Sequence, residues 1–273
     1  MSTQQPSLRA RRASRNRAGK LMFAGSLTLV CSIFVYSIIS MTSPRDTKNL
    51  CAADGKIEAL HFVLVDKTDP FGPNFLTQVR HFILSEAKST KIDERIEVFA
   101  IRGTHNKRFP ADLSLCNPGR GADYNKFTNN QRTKESFYQS AFLGEIQKLA
   151  DGMTASDEAS QSPILEVIED ITTRPEVQKF EGPKRIVLVS DMAQNSKFLR
   201  FVRERKVAPV TEEQIRRGIG KIAGGKGLQF QGFSFEVYQV EMEYDHQVLD
   251  HVKEKWEGII RGNGGELAHW GDL

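Results

Sequence analysis

The chain is poor in cysteine, with three in 273 residues. None of them forms a C-x-x-C pair or a Cys/His cluster, so a structural zinc site has no ligand set. There is no internal repeat, which excludes solenoids and propellers. There is no A-x-A cleavage motif after the first apolar stretch, which argues against a removed signal peptide. The first 20 residues contain no acid, although they hold Arg9, Arg11, Arg12, Arg15, Arg17 and Lys20. Taking those six charges from the formal +4 leaves −2 on the rest, so the basic balance belongs to a tail. The remainder does not have the composition of a basic nucleic-acid binder, and no nucleic acid is expected as partner.

The tail abuts a segment without charge. Leu21 to Met41 reads LMFAGSLTLVCSIFVYSIISM, 21 residues without an acid or a base. As a helix it would be about 31 Å long, against a hydrocarbon core of about 30 Å. Its few Ser and Thr residues are scattered, whereas a core helix would gather them on one face. The segment therefore reads as a single retained transmembrane helix. Six cations before it, against Arg45, Asp46 and Lys48 after it, put the N-terminus in the cytoplasm and the C-terminal part on the far side of the inner (plasma) membrane, periplasmic or extracellular. The tail also favours the anionic surface of the lipid bilayer. The organisation expected is a basic tail at 1–20, a membrane helix at 21–41, a polar linker at 42–56 and one folded domain at 57–273. Cys31 falls within the membrane segment. Cys51 and Cys116 fall outside it, where an exporting compartment can oxidise them to a disulfide; the alternative is two unpaired small apolar residues.

Strand and helix patterns alternate from residue 57 onward. Ala59–Val65, Arg95–Ile101, Arg185–Val189 and Phe233–Val240 read as strands, Asp112–Cys116 as a hairpin partner and Leu267–Trp270 as a short last strand. Asn74–Ala87, Thr133–Leu149, Pro163–Ile171, Gln214–Ile222 and His246–Ile260 carry helical apolar faces. Trp256 lies on the apolar face of the last helix and is expected in the core. This order predicts an α/β fold, a doubly wound and mostly parallel sheet covered on both faces, with one antiparallel edge strand.

In such a sheet, ligands collect at the carboxyl ends of the strands. The first strand runs into VLVDKTDP, which puts Asp66 and Thr68 on the following loop. The fourth runs into VLVSDMAQNS, which puts Asp191 there. SQSPILEVI sets Ser160 and Ser162 just before a helix. Carboxylates and hydroxyls are hard oxygen ligands, suited to Mg²⁺ or another divalent cation with some waters retained.

These segments resemble the von Willebrand factor A (vWA) family and its metal-ion-dependent adhesion site. Asp66 and Thr68 match the first two positions of that family's D-x-S-x-S motif. Ser162-Pro163-Ile164-Leu165-Glu166-Val167-Ile168 resembles its T-P-L-x-x-A-I element, with Ser for Thr, and Asp191 matches the Asp after its fourth strand. The resemblance covers residues 57–273. It implies a vWA/Rossmann-like fold and a non-enzymatic protein-interaction module whose metal, held by Asp66, Thr68, Ser162 and Asp191, accepts an acidic side chain of a protein partner. The third motif position is Pro70, which carries no side-chain oxygen, so the site is degenerate.

Other readings stand beside this one. Asp66 and Asp191 can cap the loops that follow them while Thr68 and Ser162 hydrogen-bond within those loops, which gives a metal-free structural subunit of a membrane complex. VLVDKTD also resembles the nucleophile loop of the haloacid dehalogenases, with Asp66 as nucleophile and Ser190 as second motif, a phosphohydrolase reading. That superfamily has D-x-D where this chain has Thr68. Gly220 to Lys226 fits G-x-x-x-x-G-K formally, but Gly227 replaces the Ser/Thr and the stretch precedes a strand. Of the six histidines, His61 sits within the first strand as a packed residue; His246, His251 and His269 fall at surface or helix positions. None is spaced beside a nucleophile.

Overall fold

The computed structural model describes residues 22, 25–32, 44–68, 73–103, 108–126, 129–153, 159–203, 206–240 and 246–273. The chain divides into two compact units, Met1–Pro44 and Arg45–Leu273. In the first, residues 22 and 25–32 are helical. The basic tail and the rest of the 21–41 segment lie outside the described residues. No helix among the described residues is long and apolar enough to cross a membrane.

The second unit carries the sheet. In chain order its elements are β1 (Ala59–Asp66), α1 (Pro73–Ser89), β2 (Glu94–Ile101), β3 (Leu113–Cys116), α2 (Gln131–Phe137) and, beyond the π-helical stretch Tyr138–Leu143, α3 (Gly144–Gly152). Then follow α4 (Ile164–Thr172), α5 (Pro175–Gln178), β4 (Lys184–Ser190), the short pair β5 (Val202–Arg203) and β6 (Lys206–Val207), α6 (Glu212–Ile222), β7 (Phe233–Gln239), α7 (His246–Gly262) and β8 (Glu266–Asp272). The main sheet has the order β3-β2-β1-β4-β7-β8. Every neighbouring pair in it is parallel except β2–β3. The expected mixed α/β architecture with one antiparallel edge strand is present.

Alternation along the strands splits the apolar residues between two cores. Phe62 and Leu64 of β1, Phe99 and Ile101 of β2, and Ile186 and Leu188 of β4 face α4, α6 and α7, with Ile164, Ile168, Ile215, Val252 and Trp256 packed against them. Val63 and Val65 of β1 and Ile96 and Val98 of β2 face α1 and the α2–α3 helix, meeting Val79, Ile83, Tyr138, Phe142 and Ile146. A strand buried on both faces must be apolar throughout, which is why β1 reads as an unbroken run.

One polar cluster interrupts the second core. His61 Nε2 lies 3.0 Å from Glu86 Oε2. Arg185 Nη1 donates to the same Glu86 oxygen at 2.8 Å, and its Nε donates to Glu236 Oε1 at 2.6 Å. His61 and Arg185 are register partners on β1 and β4, so the sheet itself sets them side by side.

The compact unit begins at Arg45, ahead of the linker boundary read from composition. Arg45 donates to the carbonyl of Leu50 and pairs with Asp93 at 2.8 Å, while Leu50 and Ala52 are buried. Cys51 is disulfide-bonded to Cys116. A polar composition therefore concealed a segment tied down by one bridge, one ion pair and two buried residues.

Candidate functional site

The connections leave β1 and β4 in opposite directions: from β1 the chain moves outward to β2, and from β4 outward to β7. Such a switch point opens a crevice at the carboxyl ends of the two strands. Asp66 is the last residue of β1 and Ser190 the last of β4, each one step beyond the paired Val65 and Val189.

Asp66 is fully buried. Its Oδ1 accepts hydrogen bonds from the Thr68 backbone N–H at 3.0 Å and the Thr68 hydroxyl at 2.7 Å. Its Oδ2 accepts from the Ser162 hydroxyl at 2.7 Å and the Ser190 hydroxyl at 2.9 Å. Four donors fill the four lone-pair positions of the carboxylate. Thr68, Ser162 and Ser190 are buried with it. Three loops thus converge on one anion, and they bring Asp66, Thr68 and Ser162 into direct contact.

Asp191 is also buried, and its Oδ1 accepts the Ala193 N–H at 2.9 Å. Asp66 makes the same kind of turn with the Thr68 N–H, so both aspartates cap the loop that begins with them. Pro70 and Asp69 lie outside the described residues. Among the described residues, no group of three or more His, Cys, Asp or Glu side chains is arranged to hold a metal ion. The oxygen set here combines two carboxylates with hydroxyls.

The loop after β4 is held under constraint. Met192 has φ +61°, a left-handed conformation that is uncommon for a side chain of this size. Its N–H donates to Ser190 Oγ at 2.8 Å, and its carbonyl accepts the Trp256 indole N–H at 2.8 Å. Trp256, expected as core filler, is fully buried and also anchors this loop. Gln194 is buried beyond it; its Oε1 accepts the Leu165 N–H at the start of α4 and its Nε2 donates to Glu166. Asn195 pairs both its backbone groups with Ser162, at 2.8 and 2.9 Å. Gly103, just past β2, lets the Ser162 segment approach: a Cβ there would fall 2.1 Å from Ala159 Cβ and 3.0 Å from the Gln161 carbonyl oxygen.

Gln194 and Asn195 were not assigned to this cluster from sequence, and Ser190 was set beside Asp66 only by the haloacid dehalogenase resemblance, not by the vWA one. Strand parity is the signal for Ser190, because the residue ending β4 must lie beside the one ending β1. The amides carry no local signal, since the partners that tie them to α4 and to the Ser162 segment lie 28 to 35 residues away in the chain.

In sequence, the chain matches no protein-family model and no curated protein. In structure, it is similar to a von Willebrand factor type A protein from Catenulispora acidiphila, with 10% identity and a TM-score of 0.38 over 72% of this chain and 36% of that one. It is also similar to the conserved hypothetical protein BatB from Bacteroides thetaiotaomicron, with 8% identity and a TM-score of 0.35 over 79% and 91%. The human COPII-coat protein Sec24c gives 9% identity and 0.40 over 81% and 30%. The chain thus spans about a third of the length of the first and the last of these.

Proposed function

We propose that the protein is a membrane-anchored, exported vWA-type module that binds another protein through the end of the sheet where β1 and β4 terminate. The observation that carries this reading is the convergence of three loops on Asp66, which presents hydroxyl oxygens at a switch point. The uncharged segment 21–41 is the anchor, the cationic tail stays in the cytoplasm, and the domain lies periplasmic or extracellular. The Cys51–Cys116 disulfide supports an oxidising compartment.

The donor set fits a hard divalent cation such as Mg²⁺. All the side-chain groups are oxygens, and the Thr68 and Ser162 hydroxyls, which donate hydrogen bonds to Asp66, keep lone pairs for an ion. Thr68, Ser162 and Asp191 would hold the metal, while Asp66, with its acceptor positions taken, orients the hydroxyls. A bound cation would supply a coordination position for a partner's carboxylate. The filled acceptor positions of Asp66 also weigh against its use as a phosphohydrolase nucleophile, because an attacking oxygen needs a free lone pair.

The test compares wild type with Thr68→Val/Ser162→Ala, which removes two hydroxyls and keeps Asp66. Thermal melts and calorimetry with Mg²⁺, Mn²⁺ and Ca²⁺, and recovery of partners from detergent extracts, are run with metal and with chelator. Metal-dependent melting and recovery in wild type, absent in the variant, is the expected result. Equal melting and equal recovery in metal and chelator would leave a metal-free structural subunit.

A further inference from the structure

Charge in the folded part is strongly segregated. Beyond residue 20 the chain carries a net −2, yet residues 197–226 hold nine lysines and arginines against three glutamates. This stretch leaves the carboxyl end of β4, forms β5 and β6, and runs through α6. Between its two halves lies a cleft of about 570 Å³ lined by Lys197, Arg200, Arg203, Arg217 and Lys221, with no acidic residue lining it among those described. Leu199 and Ala208 are its buried apolar members. Gly218 lets α6 close on the loop, since a Cβ there would come within 2.8 Å of the Phe198 carbonyl oxygen. Arg217 Nε donates to Glu213 at 2.8 Å, and Arg200 Nε donates to Asn195 Oδ1 at 2.7 Å. Five cations line the cleft and no acidic residue among those described lines it, so the cleft attracts anions.

We infer that this cleft docks an acidic, Asp/Glu-rich segment of a partner polypeptide. One observation favours a peptide over a bilayer. The site is a cleft walled by α6, which suits an extended chain bearing carboxylates better than a lipid surface does. The cleft abuts the Asp66 cluster, because Arg200 holds Asn195 and Asn195 holds Ser162. The inference rests on the partner-binding reading above for its class of ligand, and it requires no metal.

Full-length protein in neutral detergent micelles, with chelator present, is titrated with a fluorescent poly-glutamate peptide, and short-chain phosphatidylglycerol is titrated in parallel. Lys197→Glu/Lys221→Glu reverses two exposed cleft charges, and Lys179→Glu/Lys253→Glu reverses two exposed charges elsewhere. Peptide affinity is expected to fall about tenfold or more in the cleft variant, and similarly on raising salt from about 50 to about 500 mM, with less than about a twofold change in the control. Matching melting temperatures verify folding. Absence of peptide binding in wild type, equal loss in both variants, or binding of the lipid without the peptide would each overturn the inference. Chelator is present throughout, so loss of the metal site leaves this titration unchanged, and failure of the metal site and failure of the cleft give different results.

Discussion

Ser162 Oγ donates to Asp66 Oδ2 at 2.7 Å across 96 residues of sequence, joining the loop before α4 to the end of β1. Asp66 is therefore a structural hub whatever else binds there. Asp66→Ala would strip the acceptor from the Thr68 N–H and from the hydroxyls of Thr68, Ser162 and Ser190. An unsatisfied buried donor costs about 1–3 kcal/mol, partly relieved by water or rotation of the hydroxyl. Urea melts should show a loss of roughly 4 kcal/mol for Asp66→Ala and about 1 kcal/mol for Ser162→Ala. Equal, small losses would mean that the cluster is solvated.

The Cys51–Cys116 bridge spans a sequence separation of 65 and fastens the segment before β1 to the antiparallel edge strand. By loop-closure entropy it is worth about 4 kcal/mol. Reduction, or Cys51→Ser/Cys116→Ser, should lower the melting temperature by about 10 °C. An unchanged melt after reduction would show that Arg45, Leu50 and Ala52 hold this segment without the bridge.

The elements were legible because the two-faced burial of β1 and the helical faces of α4 and α7 are written locally. Ser190 needed parity between two strands, which no local window contains. The cluster of His61, Glu86, Arg185 and Glu236 needed strand order as well, since β4 must lie between β1 and β7 for Arg185 to sit between His61 and Glu236 and meet Glu86 from α1. The π-helical stretch Tyr138–Leu143 falls inside an ordinary helical pattern, and β5 and β6 are two residues each, too short for a period to register. Asp66 and Thr68 were found through spacing after a strand end and Ser162 through its place before a helix, whereas Asn195 joins Ser162 through its backbone and Gln194 reaches α4 through its side-chain amide, contacts that no local pattern announces.

Glu169 on α4 is half-buried and its carboxyl is pushed up from the ordinary value of 4.5, first by burial and then by the negative charges of Asp170 and Glu166. A raised carboxyl contributes its full stability below pH 4.5 and loses it as pH rises through the shifted value. Glu169→Gln should therefore stabilise the domain at neutral pH, by less than about 1 kcal/mol given its exposure, and have no effect near pH 3.5. The same gain at both pH values would assign it to packing.

Arg185 gives the opposite pH behaviour. Burial is the largest influence on Glu86 and pushes its carboxyl up, but the hydrogen bond from His61 and the charge of Arg185 outweigh it and hold the carboxyl below its ordinary value. Glu236 is held low chiefly by its hydrogen bonds from Arg185, against its own burial. A depressed carboxyl contributes stability above its ordinary value of 4.5 and loses it as pH falls through the depressed one. The wild type should thus lose stability in acid below about pH 4.5. Arg185→Met leaves Glu86 buried without its main cation, at a cost of roughly 3 kcal/mol at neutral pH. In that variant only His61 still offsets the burial of Glu86, so protonation breaks less stabilisation than in wild type. Urea melts at about pH 7 and about pH 3.5 should show the variant losing less stability on acidification than wild type does. If both lose the same amount, the acid sensitivity lies in other carboxylates, and the pairing of Arg185 with Glu86 and Glu236 is too solvent-screened to couple folding to protons.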